Sequence, residues 1–510
     1  MNKKSVLYSI ISISALGVIA KITGLLREGV IAAYFGTSAQ MDVFGLLTGY
    51  VTTIITILAS SLAVSFSPYY VRNLQQKGEL FAASHFSHIL NQYIAISFIG
   101  YALLFLLSPA IADYICQNSP ELSRQTVLAY SLIIFATLIT GGMTRLFVSA
   151  LNGLRKYGWM QITQIAYSVL AIIFVALLGS RYGINVLIAA FVFNSVFQII
   201  ILWMVYFREN RRYDPRFDFH DQEAIDTWKT IVPIFFGTET YMLGLTIDRT
   251  YGINLGITGA AAALNYAGIL YGLINMVVTG PINTVFCTEM YRNYYKTENR
   301  EVLYRDLGKI MHHQAFILIP LGIFLCLNAK DFITVVLRRG AFDEHSVAMT
   351  ASAFCLYALA SPFHCFRGLM SGVHIAMHDR MTPMWGGIVF LCVNLTASLL
   401  LSRLWGIWGI TLGAFLATLL SFIYQFSTMK RKHSYDGTFF TPTMMKILSA
   451  SVFSAAAAYA VLQIPFTHSS YLRLPVGVIV FIALYTIVLS TTNCEEMALV
   501  KNKLLSKNKK

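Results

Sequence analysis

The chain has 510 residues, of which 56% are hydrophobic and only 12% are charged, whereas soluble globular proteins carry about 25% charged residues. This balance excludes an ordinary soluble enzyme, because no hydrophilic stretch between the apolar segments is long enough to form a separate core. Lysine and arginine exceed aspartate and glutamate by 14, a surplus that is typical of nucleic-acid binding in soluble proteins and of cytoplasmic loops in membrane proteins.

The apolar segments predict about fourteen transmembrane helices, each near the roughly 20 residues that a bilayer requires. Their centres lie near residues 15, 55, 98, 138, 169, 195, 242, 275, 319, 358, 392, 417, 453 and 481. The first segment follows Lys3 and Lys4 and runs through Leu26 without a small-residue cleavage pattern, so we expect an uncleaved spanning helix. The predicted fold class is an all-α polytopic membrane protein with two parallel six-helix lobes and two C-terminal helices.

An internal repeat supports the division into two lobes. An offset of 220 superposes Glu28 on Asp248 and Gly36 on Gly256, in the same order as the helices. Because each lobe has an even number of helices, the lobes should run parallel, related by an axis along the membrane normal. The predicted divisions are an N-lobe at 1–228, a C-lobe at 229–432, helices thirteen and fourteen at 433–491, and a basic cytoplasmic tail at 492–510.

The distribution of basic residues predicts the orientation of the chain. Counted over alternate connections, lysine and arginine are roughly three times as frequent on the side that carries both termini as on the opposite side. By the positive-inside rule, both termini are expected to be cytoplasmic, in a bacterial cytoplasmic (inner) membrane. Topology thus explains the basic surplus, and no nucleic-acid partner is predicted.

Charged residues inside the first helix form the first candidate site. Lys21, Arg27 and Glu28 lie within two helical turns, and an ionisable residue in a membrane helix costs roughly 2.5–3.5 kcal/mol unless it faces a cavity or a partner. In one interpretation, Lys21 and Arg27 attract an anionic headgroup in a central cavity while Glu28 holds one of them in place. In the other, Arg27 and Glu28 only cap the helix at the outer interface.

The seventh helix carries two acids, Glu239 and Asp248, with Arg249 beside the second. A buried carboxylate without full pairing tends to hold a proton or a cation. Because the chain has no ATP-binding loop, these acids are candidates for coupling to Na+ or H+, and no other cofactor is expected. The alternative is that Asp248 and Arg249 form a structural charge pair near the outer surface.

Other polar residues of the helices have structural interpretations. Arg145 and Arg367, at matching positions of the repeat, are expected to snorkel to phosphate headgroups. His374 and His378 are four residues apart, but no third ligand spacing supports them, and no metal site is predicted. The seven cysteines include no C-x-x-C pair, so neither a disulfide framework nor a zinc site is predicted.

Three short motifs stand out along the chain. They are Lys21-Ile-Thr-Gly-Leu-Leu-Arg27-Glu28 followed by Gly36 and Asp42 before Phe44, Leu337-Arg-Arg339-Gly340-Ala-Phe342, and His378-Asp379-Arg380-Met-Thr382-Pro383. Together they resemble the MurJ (MviN-type) lipid II flippase family, which belongs to the superfamily of multidrug, oligosaccharidyl-lipid and polysaccharide exporters. The resemblance covers nearly the whole chain and implies two six-helix lobes, alternating access, and a groove for a lipid tail formed by the last two helices.

The resemblance also implies roles for individual residues. Lys21, Arg27, Glu28 and Asp42 would contribute to substrate binding in a cationic cavity that receives a pyrophosphate-sugar headgroup. Lys21 stands where arginine is usual in the family, which retains the charge but loses the bidentate geometry that a guanidinium offers to phosphate.

Other positions bear on ion coupling and on the strength of headgroup binding. Asp248 and Asp379 would match the acids of a sodium site described for some family members. Two further family cations are replaced here, one near Thr53 in the second helix and one at Ile269 in the eighth. Each lost cation weakens the attraction for a pyrophosphate in a low-dielectric cavity.

We therefore expect a flippase, and not an enzyme, that moves a polyprenyl-pyrophosphate-linked saccharide across the cytoplasmic membrane by alternating access. Lipid II, for peptidoglycan biosynthesis, is the leading cargo. The alternatives are an exporter of another lipid-linked oligosaccharide of the exopolysaccharide or O-antigen type, a cation-coupled multidrug-type exporter, and a scaffold for envelope synthesis that transports nothing. The expected partners are the lipid-linked saccharide, membrane lipids and envelope-synthesis enzymes.

Overall fold

A computed structural model gives the structure of the chain. It describes residues 3–119, 121–154, 156, 158–208, 213–216, 222–229, 231–236, 240–282, 290, 293–294, 299–437, 441–462, 469–492 and 497. Within these residues the regular structure is entirely helical, and ten helical segments are long and apolar enough to cross a membrane. Every predicted helix centre falls inside a described helix, so the predicted all-α polytopic class is confirmed.

The first compact unit comprises Met1–Ala262 and Arg339–Asp343. Its helices are α1 (Lys3–Phe35), α2 (Ala39–Ile55), α3 (Ser61–Gln76), α4 (Glu79–Asn118), α5 (Arg124–Phe135), α6 (Thr137–Gly153), α7 (Trp159–Tyr182), α8 (Ile184–Phe207), α9 (Gln222–Lys229), α10 (Ile231–Ile234) and α11 (Thr240–Asn254). A π-helical turn at Thr56–Ser60 joins α2 to α3. Ser38 starts α2, because its hydroxyl oxygen accepts the otherwise unpartnered backbone N–H of Met41.

Aromatic side chains fill the core of this unit. Phe66, Tyr70, Phe86, Phe147 and Tyr206 are each at most 1% exposed, and the ring centroids of Phe86 and Tyr206 lie 4.6 Å apart. The hydroxyls of Tyr70 and Tyr206 hydrogen-bond each other at 3.0 Å, so the polar ends of these two buried rings are satisfied. The cluster joins α3, α4, α6 and α8.

The second compact unit comprises Ala263–Arg338 and Glu344–Lys510. Its described helices are α12 (Ala260–Ile282, whose first residues belong to the first unit), α13 (Arg300–Leu327), α14 (Ala329–Leu337), α15 (Glu344–Ala376), α16 (Met381–His433), α17 (Pro442–Leu462) and α18 (Ser470–Thr491). The first unit therefore extends beyond residue 228, the predicted end of the N-lobe. The lobes were defined by helix count and remain a prediction, and most of the predicted tail lies outside the described residues.

Helix α16 contains two predicted spans. Its backbone breaks at Gly406, where φ is 57° and ψ is −131°, a conformation that only glycine adopts readily. After the break the two halves pack closely, since a Cβ atom at Gly413 would collide with Ser398, and the Ser398 hydroxyl donates to the Ile410 carbonyl at 3.0 Å. The predicted centres at 392 and 417 are therefore the two arms of one tight helical hairpin.

A disulfide joins Cys326 near the end of α13 to Cys355 in α15. The spacing of the seven cysteines along the sequence predicted no such pair. Helices α13 and α15 pack against each other and bring the cysteines together, and that proximity is set by packing and not by any sequence motif.

The segment 339–343 belongs to the first unit because it contacts the end of α1. The Ala341 N–H donates to the Ala33 carbonyl at 2.7 Å, which satisfies one of the terminal carbonyls that a helix leaves without an internal partner. Gly340 has a φ of +54°, and a Cβ atom there would collide with the Ala33 carbonyl oxygen. Phe342 is 1% exposed. The motif around Gly340 is therefore built to cover the end of α1.

Replacing Gly340 by alanine should destabilise the protein markedly, because it adds a collision with backbone to the strain of a positive φ. The control is Gly183→Ala, where φ is +59° and a Cβ atom meets no neighbour. The control should lose only the strain of its positive φ, about 1–3 kcal/mol. Thermal unfolding of both variants in detergent tests this, and equal losses would contradict the proposed contact.

Candidate functional site

The charged residues of α1 lie in the first unit, where α1 packs against α7. Arg27 donates from Nη2 to Glu28 Oε1 at 2.5 Å, and its guanidinium lies 4.7 Å from the ring centroid of Tyr167. Lys21 interacts electrostatically with Arg27 and with Arg145 of α6. We call Lys21, Arg27, Glu28, Arg145 and Tyr167 the cationic cluster. It brings together three positive side chains and one carboxylate.

The position of this cluster along α1 argues against a helix cap. Helix α1 continues to Phe35, so Arg27 and Glu28 lie about 10 Å before its end. Adjacent helical residues point about 100° apart, and the long Arg27 side chain therefore has to bend back to reach Glu28. Glu28 is 7% exposed, and the Tyr167 ring supports the guanidinium from α7 by a cation–π contact. Arg27 is thus held in a defined orientation.

Arg145 is the member of the cluster that the sequence did not assign to it. The sequence predicts that Arg145 snorkels to headgroups, whereas the folded chain brings its charge near enough to act on Lys21. Arg367, for which the same role was expected, is 2% exposed, with its guanidinium 5.3 Å from the Phe390 ring centroid. A snorkelling side chain would reach the surface, so the expectation for Arg367 is wrong.

Asp42 has a structural partner in this unit. Its carboxylate oxygens accept the backbone N–H groups of Gly259 and Ala262, each at 2.6 Å, and the residue is 2% exposed. The first N–H groups of a helix lack internal partners, and a negative charge at that end is favourable. Asp42 therefore caps the first turn of α12. Its predicted role in substrate binding stays a prediction, and both oxygens are already engaged.

A polar seam joins α2 to α11. Thr53 and Thr246 hydrogen-bond through their hydroxyls at 2.7 Å, and the hydroxyls of Tyr50 and Thr250 lie 3.3 Å apart. Thr53 is 5% exposed. At the position near which the family resemblance implies an arginine, a small hydroxyl side chain thus lets the two helices meet.

The structure describes one of the two acids of the seventh predicted span. Asp248 is 1% exposed on α11, and the neighbouring Arg249 donates from Nη1 to the Gly45 carbonyl of α2 at 3.3 Å. Glu239 lies outside the described residues. Their assignment to ion coupling stays a prediction.

Asp379 lies in the connection between α15 and α16. One oxygen accepts the Thr382 N–H at 3.2 Å, and the other accepts from the Thr382 hydroxyl at 2.7 Å, Lys432 Nζ at 2.9 Å and His433 Nε2 at 3.0 Å. Burial alone would raise the pKa of Asp379, but the hydrogen bonds from His433, Thr382 and Lys432 outweigh burial and lower it below the ordinary value. The motif around Asp379 therefore starts α16, and its role in ion coupling stays a prediction.

An apolar cavity of about 790 Å³ lies within the second unit. Its walls come from α13, α15, α16 and α17, and include Phe363, Phe415, Phe426 and Leu448. Lys430 also lines the cavity, with Nζ 5.8 Å from the Phe426 ring centroid. The volume is typical of ligand pockets, about 300–1,000 Å³. An apolar wall with a cation suits an amphiphile whose polar end is negative.

Comparison with known proteins links this arrangement to a family. The family model described as "Lipid II flippase MurJ" matches residues 31–485. A probable lipid II flippase MurJ of Rickettsia prowazekii is 22% identical over 421 residues, which cover 81% of this chain and 82% of the relative. Another from Aquifex aeolicus is 21% identical over 473 residues, which cover 90% of each chain.

Solved structures share the fold. The structure of the lipid II flippase MurJ in an inward closed conformation matches with a TM-score of 0.77 and 18% identity, covering 94% of this chain and 99% of that one. An inward-facing multidrug resistance transporter of the MATE family, within the MOP superfamily, matches with a TM-score of 0.66 and 15% identity, covering 81% and 94%. These likenesses establish the transporter fold of the chain.

Replacing Asp42 by alanine should lower the free energy of unfolding by about 2–4 kcal/mol, because two buried N–H groups lose their acceptor. The matched control is Asp113→Ala, which breaks an exposed ion pair with Arg124 in the same unit and should change stability little. Thermal unfolding in detergent compares the two. A stable Asp42→Ala protein that fails only in transport would favour a role in substrate binding instead.

Proposed function

The chain belongs to the MurJ family of lipid II flippases, and we propose from this premise that it carries lipid II from the inner to the outer leaflet of a bacterial cytoplasmic membrane. The observation that carries the choice of cargo is the family match over residues 31–485. The chain is accordingly a multi-pass membrane transporter. Exporters of exopolysaccharide or O-antigen intermediates and multidrug-type exporters are not favoured, because the matching family and the curated relatives bear the lipid II flippase name.

We assign headgroup binding to the cationic cluster. A pyrophosphate carries several negative charges, and each cation 4 Å from one of them contributes about 4 kcal/mol at an effective dielectric constant near 20. Glu28 engages the Nε and Nη2 atoms of Arg27, so the Nη1 end of the guanidinium is the one that donates to phosphate. Lys21 and Arg145 add point charges. This arrangement orients a phosphate at Arg27 and holds its charge with the other two residues.

We assign part of the polyprenyl tail to the apolar cavity of the second unit. Helix α17, the first of the last two predicted spans, contributes Met444 and Leu448 to its wall. Burying a methylene group is worth about 0.8 kcal/mol, so a segment of tail in the cavity gives substantial affinity without polar contacts.

The remaining parts of the mechanism are also proposals. The transporter alternates access between its two lobes, forms no covalent bond with its cargo, and has both termini in the cytoplasm. A coupling cation, Na+ or H+, acts through acids such as Asp248, and envelope-synthesis enzymes supply and consume the lipid-linked saccharide. These assignments rest on the basic residue distribution, the buried position of Asp248 and the family resemblance.

Complementation tests the cargo and the headgroup site together. In bacteria depleted of their own lipid II flippase, the intact chain should restore growth, whereas Arg27→Gln combined with Arg145→Gln should lower transport at least tenfold and fail to rescue. The matched control is Arg181→Gln, which removes an exposed cation of α7 that stacks on Tyr182. Rescue by the double variant at equal membrane expression would contradict the headgroup assignment, and failure of the intact chain would contradict the cargo.

Filling the apolar cavity tests the tail assignment separately. Leu448→Trp should occupy the space that a tail segment needs and reduce lipid II transport at least tenfold. Met445→Trp is the matched control, because it adds the same side chain to α17 at a position that does not line the cavity. Transport in reconstituted vesicles is the measurement, and thermal unfolding checks that both proteins are folded. Equal transport by the two variants would contradict a tail in this cavity.

A further inference from the structure

We propose that His374, Asp379 and His433 of the second unit form a binding site for a divalent transition metal, with Zn2+ as the ion that suits these donors best. One ligand atom from each residue lies within 4.8 Å of the other two. His374 Nδ1 is 3.5 Å and His433 Nε2 is 3.0 Å from Asp379 Oδ2. In a tetrahedral site with bonds of about 2.0–2.1 Å, ligand atoms lie about 3.3 Å apart. The two distances to the carboxylate are thus already near coordination spacing.

The folded chain, and not local sequence, assembles this site. His374 lies in the last turn of α15, Asp379 in the connection that follows, and His433 at the end of α16. All three are at most 9% exposed. The sequence spacing suggested His374 and His378 as a pair, but His378 is exposed and His433, 54 residues beyond Asp379, takes its place.

The hydrogen bonding of His374 leaves its Nδ1 atom as an acceptor, opposite a second acceptor on Asp379. Its Nε2 atom lies 3.3 Å from the Gln425 backbone carbonyl, which can only accept, so the proton of the neutral ring is on Nε2. Nδ1 then presents a lone pair, is buried, and has no hydrogen-bond partner. The nearby Asp379 oxygen is also an acceptor. A cation between them resolves this conflict, and a carbonyl that fixes the far nitrogen is the usual support of a metal-binding histidine.

A metal must displace Lys432, and His433 Nε2 must give up the proton that it donates to Asp379, which passes through solvent to Nδ1 of the same ring. The Lys432 Nζ atom lies 2.9 Å from Asp379 Oδ2, and the lysine side chain is 54% exposed. The long stem can therefore swing into solvent and open a path to the carboxylate. In the metal-free protein the ammonium compensates part of the negative charge, which makes Lys432 a competitor of the metal.

The donor set selects the class of ion. Two imidazoles and one carboxylate suit Zn2+ and similar transition metals, whereas Mg2+ and Ca2+ prefer oxygen ligands alone. The bound ion would fasten the connection after α15 to the end of α16. This role is independent of the headgroup and tail sites, so metal binding can be tested without a transport assay.

Zinc titration of the full chain tests the proposal directly. The protein is purified in detergent, freed of its affinity tag and stripped with a chelator, and binding of ZnCl2 is followed by calorimetry and by thermal unfolding. We expect one ion per chain, a higher unfolding temperature with ZnCl2 but not MgCl2, and an affinity reduced at least about 100-fold in His433→Ala. His378→Asn is the matched control, because asparagine tolerates the positive φ of that residue, 62°, and it should bind as the intact chain does.

A second variant keeps the test decisive if His433→Ala folds poorly. Lys432→Gln removes the competing ammonium from an exposed position and should tighten zinc binding at least threefold. X-ray absorption of the loaded protein should show nitrogen and oxygen neighbours at about 2.0–2.1 Å. The proposal is overturned if the intact chain binds no zinc, if a folded His433→Ala protein binds it equally well, or if Lys432→Gln leaves the affinity unchanged.

Discussion

Every backbone polar group in the hydrocarbon region has to find its partner within the protein, because no water is available there. Much of the described architecture follows from this requirement. Asp42 accepts the first N–H groups of α12, and Ala341 donates to a terminal carbonyl of α1. The motif around Asp379 provides an acceptor for the start of α16. All three family-like motifs therefore contain a residue that satisfies a backbone group at a helix end.

The position of each helix along the chain could be predicted from the sequence, whereas the side chains that meet between helices could not. Hydropathy and segment length are local properties, so each predicted centre fell inside a described helix. Arg145 joined Lys21, and His433 joined Asp379, only through packing between distant segments. The sequence contains no periodicity that reports such pairs. The same limit applies to Asp42. From sequence alone its carboxylate is available for a ligand, whereas in the structure it accepts backbone N–H groups of 259–262.

The first unit places few positive charges around Arg27, and their arrangement bears on cargo binding. A threonine near the position of a family arginine allows α2 and α11 to meet through hydroxyl groups. The positive charge that remains is gathered around Arg27, where Glu28 and Tyr167 fix the guanidinium. A fixed guanidinium loses less conformational entropy when it binds phosphate than a mobile one does. Orientation can thus compensate in part for a smaller number of cations.

The hairpin of α16 has a consequence for how the chain enters the membrane. Its two arms are joined at a single glycine, Gly406, and contact each other immediately beyond it. No hydrophilic loop separates the arms, so there is no polar segment between them for the translocation machinery to move across the membrane. We expect the two spans to partition into lipid together during biogenesis, as one insertion unit whose topology is fixed by the basic cluster Lys430–Lys432 at its end.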